Sequence, residues 1–457
     1  MNTINSQSVP RRHLNKSVLG VSLTTATLLF ALHSATSEAA INLCEGLVTH
    51  KKSVKIENLA KPEYMKPFID PAFGAKITRI SRSRNGEIYK PLYSTVQAWN
   101  ADESLLILYH RNDRGKGRHV LLDGKTYKPY KELDIWPTDL EEVFWSHTDP
   151  NVLFYVNKYK QGYGDLYEFN VHTGERKILV RLGEMCSRNN PTSGGDTHMP
   201  SIDDDLFGFR CQAENGDWIM MSYRRSTNEL NVTPLTGSKW DNWTAPVPAP
   251  SGKSMWLQGD VIPTNLTKVL RTLDLPNSHG HSNFGLTHDG KDAYFQVAFD
   301  PSPRGCNRDK DDGVGHLVVH ELDTGKCRTI ISEAKGYPYT TSSTHISSQA
   351  YKQPGWVVLS SVGYPKQIKH LTNPKKKATP LFSEIYMANT DPDNAVVCRL
   401  AHHRTFGKHA KNDNYNSYFG EPHPTISPSG TRIVFGSDWY DSGSVDTYVI
   451  ELPAYQP

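Results

Sequence analysis

No Cys-x-x-Cys occurs anywhere in the 457 residues, which excludes the usual thiolate zinc sites. No Gly-x-Ser-x-Gly occurs either, so the nucleophile elbow of a serine peptidase or esterase is missing. Net charge is small: 51 Lys and Arg face 48 Asp and Glu, leaving +3. That excess is too slight to argue for nucleic acid, and any taste for anions must come from a local patch. The chain has no low-complexity tract and no compositional break marking a second domain. What remains is an ordinary soluble composition, 37% hydrophobic and 22% charged, with 22 Tyr and 9 Trp to favour β structure or a sugar-facing surface.

The N-terminus reads as an export signal. Arg11, Arg12 and Lys16 are followed by a mostly apolar Ser17–Leu32, and Ser37-Glu38-Ala39 supplies small residues for cleavage. Arg11-Arg12-His13-Leu14-Asn15-Lys16 also has twin-arginine character. The apolar stretch is too short and too rich in Ser and Thr to span a membrane, so residues 1–40 are set aside as a leader and no membrane insertion is expected. A periplasmic or secreted chain with six cysteines beyond the leader is expected to form disulfides. Cys186 with Cys211 and Cys306 with Cys327 would close local loops, leaving Cys44 with Cys398.

The rest of the chain repeats one unit, a polar turn followed by a β-branched strand. Its best copy is residues 420–438, where Pro428 and Gly430 make the turn and Ile433-Val434-Phe435 the strand. Further copies precede Ser104, Val152, Leu206, Ser254, Asp292 and Trp356. A second turn, Thr-Gly, follows several of them at Thr173-Gly174, Thr236-Gly237 and Thr324-Gly325. Four strands per repeat, at intervals of roughly 40 to 75 residues, predict an all-β, seven-bladed β-propeller over residues 41–457. The strand Ile77–Ser81 has no blade of its own, and the last blade lacks a fourth strand. Pairing the two closes the ring and hides its open edges.

In such a ring each innermost strand starts on one face, called the upper face below, and each second strand ends there. Four of the seven starting positions carry histidine: His198, His281 (with His279 two residues before it), His345 and His423, the last beside Glu421. The second strands end on His110 and Arg111, on Arg210 and on Asp438. Imidazoles converging with a carboxylate can hold a divalent metal, so His281, His345, His423 and Glu421 are the candidate ligands. Trp99, Trp145, Trp240 and Trp243 offer sugar-stacking planes.

Glu421-Pro422-His423-Pro424, followed by Ser-Pro-Ser-Gly and a strand ending Ser437-Asp438, resembles the closing blade of oligogalacturonate lyases, seven-bladed propellers related to the TolB type. Ile77–Ser81 resembles that family's opening. The resemblance implies β-elimination on a uronate-bearing oligosaccharide, with a manganese ion on His and Gln, a His base and an Arg nearby. Glu421 stands where the family has a further His, and Tyr418 where it has Gln. Residues 241–260, in blade four, contain no His to match the family's base.

The chemistry needs a cation on the uronate carboxylate and a base near working pH. The ligand set above, holding manganese, calcium or zinc and aided by Arg210, is expected to supply the first. His198 is the expected base, with Tyr223 or His110 as acid, and Arg111, Trp145 and Trp243 as substrate contacts. The expected partner is an acidic poly- or oligosaccharide, not nucleic acid, and a monomer is expected. Two other readings stay open: a non-catalytic periplasmic propeller serving as a protein-interaction platform, and a hydrolase, for which Glu421 is the only carboxylate beside the histidines.

Overall fold

Three of the blades open on a side chain that turns the backbone. Asn100 Oδ1 accepts the Leu105 amide at 2.9 Å, Ser201 Oγ the Leu206 amide at 2.9 Å, and Ser427 Oγ the Arg432 amide at 3.3 Å. These polar caps close the turn, and the apolar residues beyond enter a buried second strand. At the turn in residues 427–432, Gly430 has φ +74°, and a Cβ there would fall 2.5 Å from Leu43 Cδ1. Only glycine fits.

The computed structural model describes residues 41–457 except 159–163, 187–188, 196, 236, 276–280, 299–305, 307–316, 338–343, 362–378 and 407–417. His279 lies outside the described residues. Seven antiparallel sheets form the ring, six of them four-stranded. Blade 1 comprises Ile88–Lys90, Leu105–Arg111, Gly117–Asp123 and Pro129–Glu132. Blade 3 comprises Asn189–Thr192, Leu206–Gln212, Trp218–Arg224 and Glu229–Pro234. Blades 2, 4, 5 and 6 start at Val143–Trp145, Val247–Pro248, Ser282–Leu286 and Thr344–Ser347. Blade 7 takes Thr425–Ile426, Arg432–Ser437 and Asp446–Glu451 from the C-terminal end and Lys76–Arg79 from the N-terminal end. Lys76 pairs with Glu451 and Arg79 with Tyr448, so the expected closure is present, with Pro67–Ile69 added as a fifth strand.

The central channel is filled by side chains bonding across the ring. The Gln97 amide donates to Gln349 O and Ile426 O, both at 3.0 Å, and the Gln349 amide donates to Asn283 Oδ1 at 2.9 Å. The Thr95 hydroxyl donates to Thr197 O. Blades 1, 3, 5, 6 and 7 are thereby fixed at a common depth, which positions whatever stands above them.

Two of the three expected disulfides are formed, Cys44–Cys398 and Cys186–Cys211. The third pair stands as two thiols in contact, with Cys306 hydrogen-bonded to Cys327. Cys44 and Leu43 are buried with Cys398 in the core between blades 6 and 7, so that bridge ties the N-terminal segment to the ring. Its sequence separation of 354 is long enough for a large loop-closure effect. Cys44→Ser is expected to lower the unfolding free energy by about 3 to 5 kcal/mol, read by denaturant titration. A loss below about 1 kcal/mol would show that packing alone holds the segment.

Candidate metal centre on the upper face

Three residues upstream of the channel layer come together. His345 Nε2 lies 3.4 Å from Glu421 Oε2, and His423 Nε2 lies 3.7 Å from the same oxygen. All three possible ligand atoms fall within 4.8 Å of one another. His281 stands beside them, its ring 4.5 Å from that of His345, and its Nδ1 is 2.7 Å from the Tyr93 hydroxyl. The convergence follows from the shared depth: Tyr93, His281 and His423 each lie two residues before channel residues Thr95, Asn283 and Thr425.

The electrostatics suit a cation held by neutral imidazoles. Burial, followed by the charges of Lys90 and neighbouring histidines, holds His423 well below the usual imidazole range. Burial does the same to His345, with His281 and Lys90 adding to it. Burial alone lowers His281 to about 4. Neither ring nitrogen of His345 or His423 has a hydrogen-bond partner among the described residues, although both rings are buried. Buried polar atoms are normally satisfied, so four orphaned nitrogens beside a carboxylate fit a divalent ion bound by N and O donors. The backbone adds to this: His423 has φ +37°, strained for a non-glycine residue and here followed by Pro424. Strain of this kind persists where the surroundings impose it, as they do at binding sites.

Several neighbours were not legible in the sequence. Lys90 is fully buried, its ammonium 2.7 Å from Glu141 Oε1 and 4.7 Å from the Tyr418 ring centroid. The Tyr418 hydroxyl donates to the other oxygen of Glu141, and the Tyr418 ring lies 4.8 Å from that of His423. Phe419 carries the Arg111 guanidinium 4.8 Å above its ring. Tyr418 was visible only as a departure from the family pattern. Lys90, Tyr93 and Glu141 follow no turn signal and were missed.

The other candidates separate by strand direction and alternation. Lys90 pairs with Tyr109, and Tyr89 with His110. Alternate residues face opposite sides of a sheet, so Arg111 shares the side of Lys90 and Tyr109, whereas His110 turns away to stack on Tyr89 at 4.0 Å. His110 is therefore not placed to serve as the acid. Tyr223 pairs with Phe207 near the start of the second strand, which puts it toward the lower face, where its hydroxyl donates to Leu179 O at 3.1 Å. It too is removed from the centre. Trp145 is 1% exposed and donates to Ala98 O at 3.2 Å, a core residue that no sugar reaches.

His198 directly follows Thr197, whose carbonyl is level with Thr95, so it lies three residues deeper than Tyr93. Its ring meets Phe284 edge-on at 5.0 Å, and burial lowers its proton affinity to about 3. That is a poor setting for a base. Arg210 stays on the upper face with its guanidinium 4.9 Å over Trp218. Trp243 is 55% exposed and covers Gly195, where a Cβ would come within 2.2 Å of the indole.

The chain is a seven-bladed propeller that carries, above its channel, a partly exposed Glu421 between two buried histidines. In fold the chain resembles oligogalacturonate lyases. An oligogalacturonate lyase in complex with manganese matches with a TM-score of 0.57 and 18% identity, over 85% of this chain and 96% of that one. The crystal structure of oligogalacturonate lyase from Vibrio parahaemolyticus matches with a TM-score of 0.58 and 15% identity, over 85% and 97%. Neither a protein-family profile nor a curated protein matches the sequence.

Proposed function

We propose that the protein is an exported polysaccharide lyase that cleaves a uronate-bearing glycan by β-elimination. The observation that carries this reading is the set of orphaned imidazole nitrogens of His345 and His423 facing Glu421. The lyase-like propeller and the two disulfides, which suit an oxidising compartment, support it. No helix among the described residues is long and apolar enough to cross a membrane.

A divalent ion such as manganese, held by His345, Glu421 and His423, would supply a Lewis acid for the uronate carboxylate. Arg111, fixed by Phe419, adds a positive group on the same side of blade 1. Lys90 acts at a distance, since its ammonium is engaged by Glu141. Tyr93 and His281 form the proton-carrying pair at the edge of the cluster, and they replace His198 and Tyr223 in that role. Trp243 offers an exposed plane for a sugar ring.

The test is incubation with polygalacturonate, ulvan and other uronate polymers, with manganese supplied, while unsaturated-uronate absorbance is followed. A rise is expected on at least one polymer, and Arg111→Met should cut kcat by about 100-fold. No rise on any of them would sink the proposal.

A further inference from the structure

A metal-binding histidine is usually aimed by a hydrogen bond from its second ring nitrogen to a carboxylate or a carbonyl. His423 has no such partner at either nitrogen among the described residues. Its ring is walled by other rings instead, with centroids at 4.3 Å for His345, 4.8 Å for Tyr418 and 5.4 Å for Tyr93. His345 is itself a candidate ligand, and the Tyr93 hydroxyl is engaged with His281. Tyr418 is the wall that is anchored outside the cluster.

The anchor is a buried ion pair. The Tyr418 hydroxyl donates to one oxygen of Glu141, and the Lys90 ammonium donates to the other at 2.7 Å. Lys90 and Glu141 are both buried, so water competes for neither, and charge-assisted bonds of this kind are strong. Lys90 ends the first strand of blade 1, Glu141 stands two residues before that of blade 2, and Tyr418 opens the turn that leads into blade 7. The Glu421 amide donates to Tyr418 O at 3.2 Å, so the tether reaches the backbone of the carboxylate ligand. The far end of the turn has pins of its own, the Thr405 hydroxyl on Gly420 O and the Gly436 amide on Pro422 O. Tyr418 is also the residue at the position that the family resemblance gives to a Gln ligand. Its hydroxyl is committed to Glu141, which leaves Glu421 to supply the oxygen of the cluster.

We propose that Tyr418, tethered by Glu141 and Lys90, is the positioning residue of the metal centre, setting the ring of His423 and the turn that carries Glu421. Its role rests on the metal-centre reading above and is independent of the glycan. The tether does for His423 what a bonded second nitrogen does elsewhere: it holds the imidazole in one orientation before the ion arrives.

The experiment titrates manganese calorimetrically into the full chain and reads the melting temperature of the metal-free form alongside. Tyr418→Phe keeps the ring and loses the tether. Its Kd for manganese is expected to rise about tenfold or more, with the metal-free melting temperature nearly unchanged. Two double variants test the tether from its other end, where replacing both members of a buried ion pair is tolerated. Lys90→Met/Glu141→Gln removes both charges but leaves an amide oxygen for the hydroxyl, so its affinity should stay close to that of the wild type. Lys90→Met/Glu141→Leu removes the acceptor and should match Tyr418→Phe, and combining the two should cost nothing further. Wild-type affinity in Tyr418→Phe would overturn the proposal, since a merely structural tyrosine moves the melting temperature and not Kd. So would equal losses in the Gln and Leu variants, which would make the charges, not the tether, the effective element. A wild-type chain that takes up no manganese would sink the metal-centre reading and this role with it. Failure of the lyase reading alone shows as absence of unsaturated product and leaves the calorimetry unaffected.

Discussion

His423→Ala is expected to take uronate cleavage to background and to erase all thermal stabilisation by manganese, while the metal-free chain changes stability by no more than about 2 kcal/mol. The last clause separates a ligand from a structural histidine. Truncating a buried ring leaves a cavity, which costs stability. Two effects oppose that cost here. The ring nitrogens make no hydrogen bond to lose, and removing them relieves buried polar atoms of an unmet need. The wild-type chain should gain about 2.7 kcal/mol from manganese at a hundredfold excess over Kd, and the variant nothing. Differential scanning calorimetry with and without the ion reads both quantities. A variant that still gains stability from manganese would place the ion elsewhere, and a collapse of the metal-free form would make the imidazole a packing element.

A loss of stability as large as that from Cys44→Ser is expected from Glu384→Ala, about 3 to 5 kcal/mol by urea denaturation. Glu384 and Arg399 are both essentially buried and form a two-point pair, Arg399 Nε to Oε2 at 2.8 Å and Nη2 to Oε1 at 2.6 Å. Removing the carboxylate leaves a guanidinium in the core with half its partners gone. Those remaining are the carbonyls of His50 and Lys52, at 3.2 and 2.7 Å, so Arg399 also anchors the N-terminal segment next to the Cys44–Cys398 bridge. The two devices hold the same segment, and Glu384→Ala with Cys44→Ser should therefore be non-additive. A loss under about 1 kcal/mol for Glu384→Ala would mean that water reaches the pair.

The ring was readable because its signals are local. A capping side chain, a turn and a β-branched strand recur, and each can be recognised without knowing where the others go. Closure by Ile77–Ser81 was readable by elimination, as a strand without a blade and a blade without a strand. The histidines at His281, His345 and His423 were found because they occupy equivalent positions in the repeat. His198 occupies nearly the same position, but its offset by three residues sends it into the channel wall, a difference of depth that spacing does not encode. His110 and Tyr223 went astray through sheet alternation and strand direction, which depend on pairing register. Lys90 and Glu141 were illegible because a buried lysine beside a glutamate leaves no mark in a sequence where both residues are common.

Glu141 and Tyr418 meet across a separation of 277 residues, and Lys90 and Tyr93 from blade 1 stand against Tyr418 and His423 at the entry to blade 7. Blade 7 is also where the two ends of the chain are joined. Assembly of the centre and sealing of the ring are thus one event. During synthesis, every intermediate short of the last blade lacks Glu421 and His423 altogether. Until the terminal strands meet, the cluster is incomplete, and the appearance of metal affinity would report that the circle has closed.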